Sequence, residues 1–333
     1  MQINTIRQPY VSGFVNSGNI LIPKIFTTLS LKDRFSGFMV RLGYRRMHYT
    51  VRQGLYAVGN PDSNSPVIVT ANYKLTFDVV RKAVSGMNLW ILVLNTHGVN
   101  VWCAAGKGTF GTGEIARMVK MTKLSTVVSH RNLILPQLGA PGVSAHRVKK
   151  LTDFSVIYGP VKISDLKKFI DNGNVADRSM RTVEFPLIER MKVAPLELVL
   201  GWKILIGVLI LSLLNISSFI PLTGSVIAGI FLFPALLPYL PFRSFTLKGA
   251  VLGLAWACFC SLFIAADIFT VLEFLLIIPP VVAYMAFNFT GSTTFTSPSG
   301  VRYEIKKYTW PFALWMSAGI IMYFVNVFRV NYK

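Results

Sequence analysis

One cysteine lies in a stretch whose residue types could bind a metal ion. Cys103 falls within the segment Asn100-Val-Trp-Cys-Ala-Ala-Gly-Lys-Gly-Thr-Phe-Gly-Thr-Gly-Glu114, between a strand-like run at 88–95 and a helix-like run that starts at Glu114. A thiol at the start of a helix feels the positive end of the helix dipole, which favours its thiolate form. Thiolate is the form that binds soft metals. The segment therefore predicts a metal-binding cysteine at the junction of a loop and a helix.

The small residues after Cys103 admit two other interpretations. Gly106, Gly108 and Gly111 fit the G-x-G-x-x-G pattern of a dinucleotide or phosphate loop. The acidic residue expected about 20 positions later in such a unit is missing, which argues against that loop. The other alternative is a buried structural cysteine. Small residues also let a backbone approach something large and flat, which suits a planar cofactor.

The octapeptide Asn100-Val-Trp-Cys-Ala-Ala-Gly-Lys107 resembles the N-(V/I)-W-C-A-A-G-K signature of the corrinoid protein of mercury methylation, the HgcA family. That family is related to the large subunit of the corrinoid iron–sulfur protein. It combines an α/β Rossmann-like corrinoid-binding domain with an all-α membrane domain. The polar segment 288–300 also resembles this family.

The resemblance implies a corrinoid (cobalamin) cofactor whose cobalt is bound from below by Cys103, the catalytic residue. It implies a methyltransferase that passes a methyl group to Hg(II), with a methyl-folate as methyl donor. Hg(II) is an electrophile, so the methyl must leave as a carbanion or radical equivalent, which a thiolate ligand favours. A ferredoxin-like protein with two [4Fe–4S] clusters, of the HgcB type, is the implied partner. The cofactor-binding residues are Thr70, Asn72, Asn100, Val101, Trp102, Cys103, Ala104, Ala105, Gly106, Lys107, Gly108 and Thr109.

Two other functions remain open from the sequence. One is a membrane-anchored corrinoid methyl carrier of one-carbon and acetyl-CoA metabolism. The related corrinoid iron–sulfur protein carries its own cluster cysteines, whereas this chain has three cysteines and a [4Fe–4S] cluster needs four ligands. The other is a membrane transporter with a nucleotide-binding regulatory domain. That class would need broken helices with polar residues at the membrane midplane, and few polar residues occur there.

The composition is that of a membrane protein with a basic N-terminal half. Hydrophobic residues make up 53% of the 333 positions and charged residues 14%. Residues 1–195 contain 26 lysines and arginines against 10 aspartates and glutamates, a net charge of +16. A basic domain next to apolar helices fits a cytoplasmic face against anionic lipid, and no nucleic-acid-binding motif is found. Three cysteines exclude a disulfide scaffold and fit a reducing compartment.

The first 195 residues predict a mainly parallel sheet with helices on both faces. Residues 1–60 form a basic lead-in that packs on the corrinoid-binding domain at 61–173, and 174–195 form a linker. Strands are predicted at 67–71, 88–95, 125–128, 132–135 and 154–158, and helices at 113–122 and 163–172. Ligands of such sheets bind beyond the carboxyl ends of the strands, where Thr70 and Cys103 are found.

Residues 196–333 predict a transmembrane domain of five spans, each close to the ~20 residues that a bilayer requires. The spans are near 198–217, 222–240, 247–266, 268–289 and 310–328. Lys and Arg concentrate in the second-to-third and fourth-to-fifth connections. The positive-inside rule then predicts a multi-pass protein of the inner (cytoplasmic) membrane, with the N-terminal domain cytoplasmic and the C-terminus outside.

Overall fold

The computed structural model describes residues 8–17, 20–264, 266–292 and 298–331. Its contacts divide the chain into two compact units, Met1–Val183 and Glu184–Lys333. The division falls inside the segment 174–195, for which the sequence predicts a linker. The first unit combines strands and helices, whereas the described residues of the second are helical or irregular.

The first unit is built on a sheet of seven strands in the order β1-β2-β3-β5-β4-β6-β7. Strands β4 to β7 are parallel along their shared edges, while β3 runs antiparallel to β5 and β1 antiparallel to β2. The sequence therefore predicts the parallel half correctly. The bounds are β1 (Val11–Ser17), β2 (Ile20–Ile25), β3 (Gly54–Val58), β4 (Val67–Ala71), β5 (Leu89–Leu94), β6 (Asn132–Leu135) and β7 (Ser155–Tyr158).

Helices cover both faces of this sheet, as predicted. Alternate side chains of each buried strand point to opposite faces and form two separate cores. Val69 and Leu92 pack on one face with α3, α4 and the helices after them, and Ile68 and Ile91 pack on the other with α2 and α7. The helices are α1 (Leu31–Arg41), α2 (Lys74–Ala83), α3 (Val101–Gly106), α4 (Thr112–Met121), α5 (Leu124–Val127), α6 (Ala145–Thr152), α7 (Leu166–Asp171) and α8 (Arg178–Arg181), with 3₁₀ turns at Arg46–His48, Gln137–Gly142 and Ile163–Asp165.

The described residues of the segment 1–60 contribute three strands to the same sheet. Strand β3 lies between β2 and β5, with Gly54 opposite Val93 and Val58 opposite Leu89. Its residues Leu55 to Val58 are buried. The weak hydrophobic alternation of this region hides the strand because β3 is covered on both faces, so it has no polar side to reveal a period of two.

One predicted strand is wrong. The run Ser125-Thr-Val-Val128 is rich in β-branched residues, which favour strands. The structure instead places Leu124–Val127 in the short helix α5. Leu124 and Val127, three positions apart on that turn, are both buried in the core of this face. Tertiary packing therefore outweighs the β-propensity of the run.

The second unit consists of apolar helices. Judged by length and hydropathy, four helices are long enough to cross a bilayer: Ile216–Leu236, Phe245–Phe263, Ile268–Asn288 and Ser299–Val330. A fifth crossing is counted only if the bent pair Leu187–Leu200 and Trp202–Leu214 acts as one span. The helices are α9 (Leu187–Met191), α10 (Ala194–Leu200), α11 (Trp202–Leu214), α12 (Phe219–Ile227), α13 (Phe233–Leu236), α14 (Phe245–Phe263), α15 (Ile268–Asn288) and α16 (Pro298–Asn331), with a π-helical segment at Ala228–Leu232 and 3₁₀ turns at Ile216–Ser218 and Phe289–Ser292.

The first predicted span, 198–217, is not one straight helix. The helix axis bends by 69° between Leu200 and Trp202, and α11 ends at Leu214. Gly201 at the bend lies against Met285, because a Cβ at this position would come within 2.7 Å of the Met285 methyl group. The other four predicted spans overlap the four long helices. The polar segment 288–300 is described only up to residue 292 and from residue 298.

Buried carboxylates tie the helices of the second unit together. Glu304 accepts hydrogen bonds from the backbone N–H groups of Phe245 and Thr246 at the start of α14, both at 2.9 Å. Glu273 accepts a hydrogen bond from Ser218 at 2.7 Å and one from Asn326 at 2.6 Å. Glu304 and Glu273 are therefore bonded by donors from other helical segments.

Candidate functional site

Cys103 lies in the first turn of α3, at the carboxyl ends of the parallel strands. The loop 95–100 leads from the end of β5 into this helix. Asn100 is the N-cap residue, and its Oδ1 accepts a hydrogen bond from the Cys103 backbone N–H at 2.9 Å. An asparagine at this position satisfies a helix N–H that would otherwise have no partner. The cap therefore fixes the turn that carries the thiol.

Helix α3 has one exposed face and one buried face. Trp102 and Cys103 are exposed, and the indole is 44% accessible. Val101, Ala104 and Ala105 are buried in the core against the sheet. The exposed thiol contradicts the alternative of a buried structural cysteine. It also means that the side chains of Ala104 and Ala105 support the helix from below and do not line the surface beside the thiol.

The end of α3 leaves space beside Cys103. Gly106, Lys107 and Gly108 are exposed, and a Cβ at either glycine would meet nothing within 4 Å. Gly108 has a φ of +78°, a conformation that other residues rarely adopt. The N–H of Thr109 donates a hydrogen bond to the carbonyl of Ala104 at 3.0 Å, and the helix ends here. A broad ligand can therefore approach the backbone after the thiol without meeting a side chain.

Phe110 connects the cysteine helix to the loop that follows β6. Its ring is fully buried, and a Cβ at Gly139 would lie 2.5 Å from the ring atom Cε1. Gly142 in the same loop passes the backbone of Ala105 so closely that a Cβ there would lie 3.0 Å from the Ala105 Cα. Only glycine fits at these two positions of close approach. The sequence around 136–142 is rich in Gly and Pro, which is typical of a loop, but gives no signal of the contact with the site.

Asn72 holds the loop that precedes the cysteine helix. Its Oδ1 accepts hydrogen bonds from the backbone N–H groups of Thr96 and Gly98, at 3.0 and 3.1 Å. Its Nδ2 donates to Oδ1 of Asn95 at 3.2 Å. Asn72 is 7% accessible and therefore supports the loop from within. Its amide is used by the protein itself, which assigns it a positioning role in place of the predicted contact with a cofactor.

Glu114 provides a second support for the same loop. Its Oε1 accepts a hydrogen bond from the backbone N–H of Asn95 at 2.8 Å, and the carboxylate also binds Arg117 in the next turn of α4. The hydrogen bonds that Arg117 donates to Glu114 raise the pKa of its guanidinium above the ordinary value. In the sequence, this role is indicated only by the position of Glu114 in the first turn of a helix, where an acidic residue is favoured.

Thr70 is not brought to the site. It lies in β4 between Val69 and Ala71, which face α3, so its side chain points to the opposite face of the sheet with Ile68. It is 2% accessible. The prediction used the position of Thr70 at the strand end but not the alternation of side chains. Of the predicted residues, the structure brings Asn100, Trp102, Cys103, Gly106, Lys107, Gly108 and Thr109 together around the exposed end of α3.

The glycine pattern does not form a dinucleotide loop. In that motif the glycines join a strand directly to a helix N-terminus. Here the helix α3 separates β5 from Gly106, Gly108 and Gly111, and Gly111 only begins α4. The geometry of a pyrophosphate loop is therefore not present in this segment.

A planar metal cofactor fits the surface of this helix better. The donor is one exposed thiol, and the two glycines that follow leave the neighbouring space open. Thiolate is a strong donor for a soft or borderline metal such as cobalt. Among the described residues no group of three or more His, Cys, Asp or Glu side chains could hold a bare ion. A single protein ligand suits a metal whose other ligands come from a macrocycle.

Comparison with known proteins shows which proteins this unit is similar to. The profile of the CO dehydrogenase/acetyl-CoA synthase delta subunit (CdhD) matches residues 42–170, which include Cys103 and the strands around it. The chain is 33% identical over 129 residues to the gamma subunit of an acetyl-CoA decarbonylase/synthase complex from Methanocaldococcus jannaschii, and 31% identical over 123 residues to that from Archaeoglobus fulgidus. It is also 31% identical over 137 residues to the corrinoid/iron-sulfur protein large subunit of Moorella thermoacetica.

These similarities are confined to part of each protein. The aligned regions cover 38%, 36% and 38% of this chain, and 26%, 26% and 30% of the three relatives in the same order. The chain thus spans roughly a quarter to a third of the length of the curated relatives that it matches. The profile match lies wholly within the first unit.

Proposed function

We propose that this chain is a corrinoid-dependent methyl-transfer protein in which Cys103 is the lower ligand of cobalt. The observation that carries the proposal is the exposed thiol in the capped first turn of α3, beside an open glycine surface. Its similarity to a protein named corrinoid/iron-sulfur protein supports the cofactor. The corrinoid, when bound, supplies a cobalt atom that can hold a methyl group.

The residues of the chain have distinct tasks in this proposal. Cys103 would hold the metal through its thiolate, and Asn100 fixes the turn that carries this thiol. Asn72 and Glu114 accept hydrogen bonds from the loop 95–98. These bonds fix the position of the helix that follows the loop. Trp102 and the backbone from Gly106 to Thr109 form the surface against which a flat ring rests. This preorganisation keeps the metal at a fixed position, which methyl transfer between two reactants requires.

We propose Hg(II) as the methyl acceptor. The support is the complete octapeptide from Asn100 to Lys107, together with a thiolate donor suited to transfer to an electrophile. This chain would then make methylmercury from a methyl group that a methyl-folate supplies. An iron–sulfur protein with two [4Fe–4S] clusters would be the electron donor, since three cysteines cannot ligate such a cluster in this chain.

The second candidate is a corrinoid methyl carrier of one-carbon metabolism. The similarities to subunits of acetyl-CoA decarbonylase/synthase complexes favour it. In this case the acceptor would belong to a larger complex and not be a metal ion. The two candidates share the corrinoid site and differ in the acceptor.

The helical unit would anchor either protein in a bilayer. Its long apolar helices support a multi-pass protein of the cytoplasmic membrane. The Lys and Arg of the connections support a cytoplasmic N-terminal unit and an outer C-terminus.

One pair of variants tests the corrinoid site. Cys103→Ala should remove the cobalt–sulfur bond, seen as a changed visible absorption spectrum of the reconstituted protein, and should abolish methylmercury formation by cells. Cys258→Ala is the matched control, because Cys258 is an exposed thiol of the helical unit. A Cys103→Ala protein with an unchanged spectrum would refute the assignment of Cys103 as the cobalt ligand.

The acceptor is tested with the same cells. Loss of methylmercury on deletion of this chain, with acetyl-CoA synthesis from a labelled methyl donor unchanged, would support Hg(II) as the acceptor. The reverse result would support the methyl carrier.

A further inference from the structure

A basic segment lies against the two elements that position Cys103. The residues between α1 and β3, from Tyr44 to Thr50, run past the end of β4 and the loop 95–100. The N–H of Val51 donates to the carbonyl of Asn72, and the N–H of Lys74 donates to the carbonyl of Tyr49, both at 2.9 Å. Thr50 also forms a β-bridge with Tyr73. The segment is therefore attached to the edge of the sheet where the parallel strands end.

The same segment contacts the loop that leads to the cysteine helix. Gly98 packs so closely on it that a Cβ would lie 2.9 Å from the carbonyl oxygen of Met47 and 2.9 Å from the Thr50 methyl group. Gly98 has a φ of +73°, so glycine is required there for two reasons. Cys103 follows five residues later, and five residues span at most about 18 Å. The basic segment therefore packs on the loop that carries the cysteine helix.

The arginines of this segment lack anionic partners. Arg45 and Arg46 are exposed, and neither forms an ion pair within the described ranges of the chain. Arg45 stacks over the ring of Tyr44 at 5.6 Å. Burial raises the pKa of Tyr73, and the charge of Arg46 and its hydrogen bond to the tyrosine partly offset that rise. Guanidinium groups that have no carboxylate nearby are suited to bind a phosphate.

We propose that Arg45 and Arg46 bind the phosphodiester of the nucleotide tail of a cobalamin whose ring lies on α3. This inference rests on the proposed function, because it needs a corrinoid at Cys103. If Cys103 supplied a protein ligand to the cobalt, the base of the tail would not be needed as a ligand, and the tail would be free to bind another part of the protein. Between Trp102 and Thr109 the only charged side chain is Lys107. Arg45 and Arg46 would supply the further positive charge that binds a phosphodiester.

A second basic surface of the first unit does not serve this purpose. A cavity of about 590 Å³ is lined by Lys120, Lys123, Lys149 and Lys150, together with Asp153. These residues lie at the carboxyl ends of α4 and α6, which lead back to the amino ends of β6 and β7. That cavity is therefore at the opposite edge of the sheet from Cys103.

The test compares two corrinoids on the full-length chain in detergent. Cobalamin carries the nucleotide tail, whereas cobinamide has the same ring without the nucleotide and its phosphodiester. Corrinoid-free protein is titrated with each, and binding is followed by the visible spectrum and by quenching of tryptophan fluorescence. The variants are Arg45→Ala/Arg46→Ala and, as a control with the same loss of charge, Lys32→Ala/Arg34→Ala on exposed positions of α1.

We expect the wild type to bind cobalamin more tightly than cobinamide. The Arg45→Ala/Arg46→Ala variant should lose about tenfold to a hundredfold in cobalamin affinity, the usual effect of losing charged hydrogen bonds. Its cobinamide affinity should stay unchanged, and the control should match the wild type for both ligands. Arg45→Lys/Arg46→Lys should recover part of the loss, since it keeps the charge but not the paired donors.

The outcomes separate this inference from the proposed function. Equal affinity of the wild type for the two corrinoids, or an arginine variant that keeps its preference for cobalamin, overturns the role of the arginines and leaves Cys103 as the ligand. Binding of neither corrinoid by the folded wild-type chain overturns the proposed function itself. An equal loss for both corrinoids in the arginine variant also counts against a contact with the tail.

Discussion

The side-chain oxygen of Asn100 lies 2.9 Å from the backbone nitrogen of Cys103 and accepts its hydrogen bond. The residue that opens the signature octapeptide thus holds the turn that carries the thiol. Helix α3 has only six residues, and so short a helix has little stability of its own. Its position depends on this cap and on the buried alanines beneath it.

Replacing the cap should loosen the thiol without removing it. Asn100→Ala should cost about 1 kcal/mol of stability and weaken corrinoid binding, because the N–H of Cys103 loses its acceptor. Asn100→Ser keeps an acceptor at the cap and should retain most of both. Thermal melting and corrinoid titration measure the two effects. Equal behaviour of the alanine and serine variants would show that the cap does not matter.

The loop before the helix should depend on the amide of Asn72. Asn72→Ala leaves the buried N–H groups of Thr96 and Gly98 without an acceptor, at a cost of about 1–3 kcal/mol. Hydrogen exchange at residues 95–100 should become faster. Asn88→Ala, which removes a side chain from the loop before β5 at the other end of the sheet, should leave this exchange unchanged. Unaltered protection of 95–100 in Asn72→Ala would contradict the positioning role.

Ala105 should behave as a core residue. It is 5% accessible and lies against Gly142, so Ala105→Leu should destabilise the unit by about 1–3 kcal/mol through overpacking. The sequence analysis placed Ala105 against the cofactor, which predicts loss of corrinoid from a protein of normal stability. The melting temperature of the corrinoid-free chain decides between the two, with the exposed Lys120→Leu as control. A normal melting temperature would restore the earlier interpretation.

The ion pairs between α1 and α2 should protect the first unit from acid. Burial by itself raises the pKa of Asp33, but hydrogen bonds from Lys74, Ser30 and Arg81 outweigh it and hold that pKa well below its usual range. The stabilisation is therefore complete above the unfolded pKa of about 3.9 and is lost as the pH falls towards the lower folded value. Asp33→Asn should destabilise the chain at pH 7 and flatten this acid dependence.

Asp171→Asn is the control for Asp33→Asn. Asp171 pairs with Lys167 on the surface, and such exposed pairs contribute little. Melting curves between pH 3 and pH 7 compare the variants. An Asp33→Asn protein with the acid sensitivity of the wild type would show that the network contributes nothing.

The orientation of the helical unit can be tested with tags. A tag before residue 1 should be protected in intact spheroplasts and a tag after Lys333 exposed, as the charge of the connections predicts. Tags in the connection between α14 and α15 should be exposed, because that connection should lie outside. Protection of both ends would mean an even number of crossings. The bent pair Leu187–Leu200 and Trp202–Leu214 would then not cross the membrane.

The sequence predicts the parallel strands, the helix α4 after the Cys103 segment and most apolar helices, because each has a strong local signal, but it places Cys103 in a loop and does not predict the short helix α3. Residues Val67 to Ala71 are an uninterrupted buried strand, as predicted. Prediction from the sequence fails where the structure depends on contacts that are distant in the chain. The face on which Thr70 lies depends on the strand register, and the helical turn of Leu124 depends on the core that surrounds it. The roles of Asn72, Phe110 and Gly142 require contacts between loops that are far apart in the chain.

The ring of Phe110 sets a limit on how this protein can vary. Because the ring occupies the volume beside Gly139, a larger residue at Gly139 needs a smaller one at Phe110, and the two positions can change only together. Gly142 differs, because a Cβ there would meet backbone atoms of Phe110 and Ala105, which no substitution removes. Variants of this protein that change Gly139 should therefore carry a smaller residue at position 110 and should keep Gly142, whereas the exposed Lys107 can vary alone.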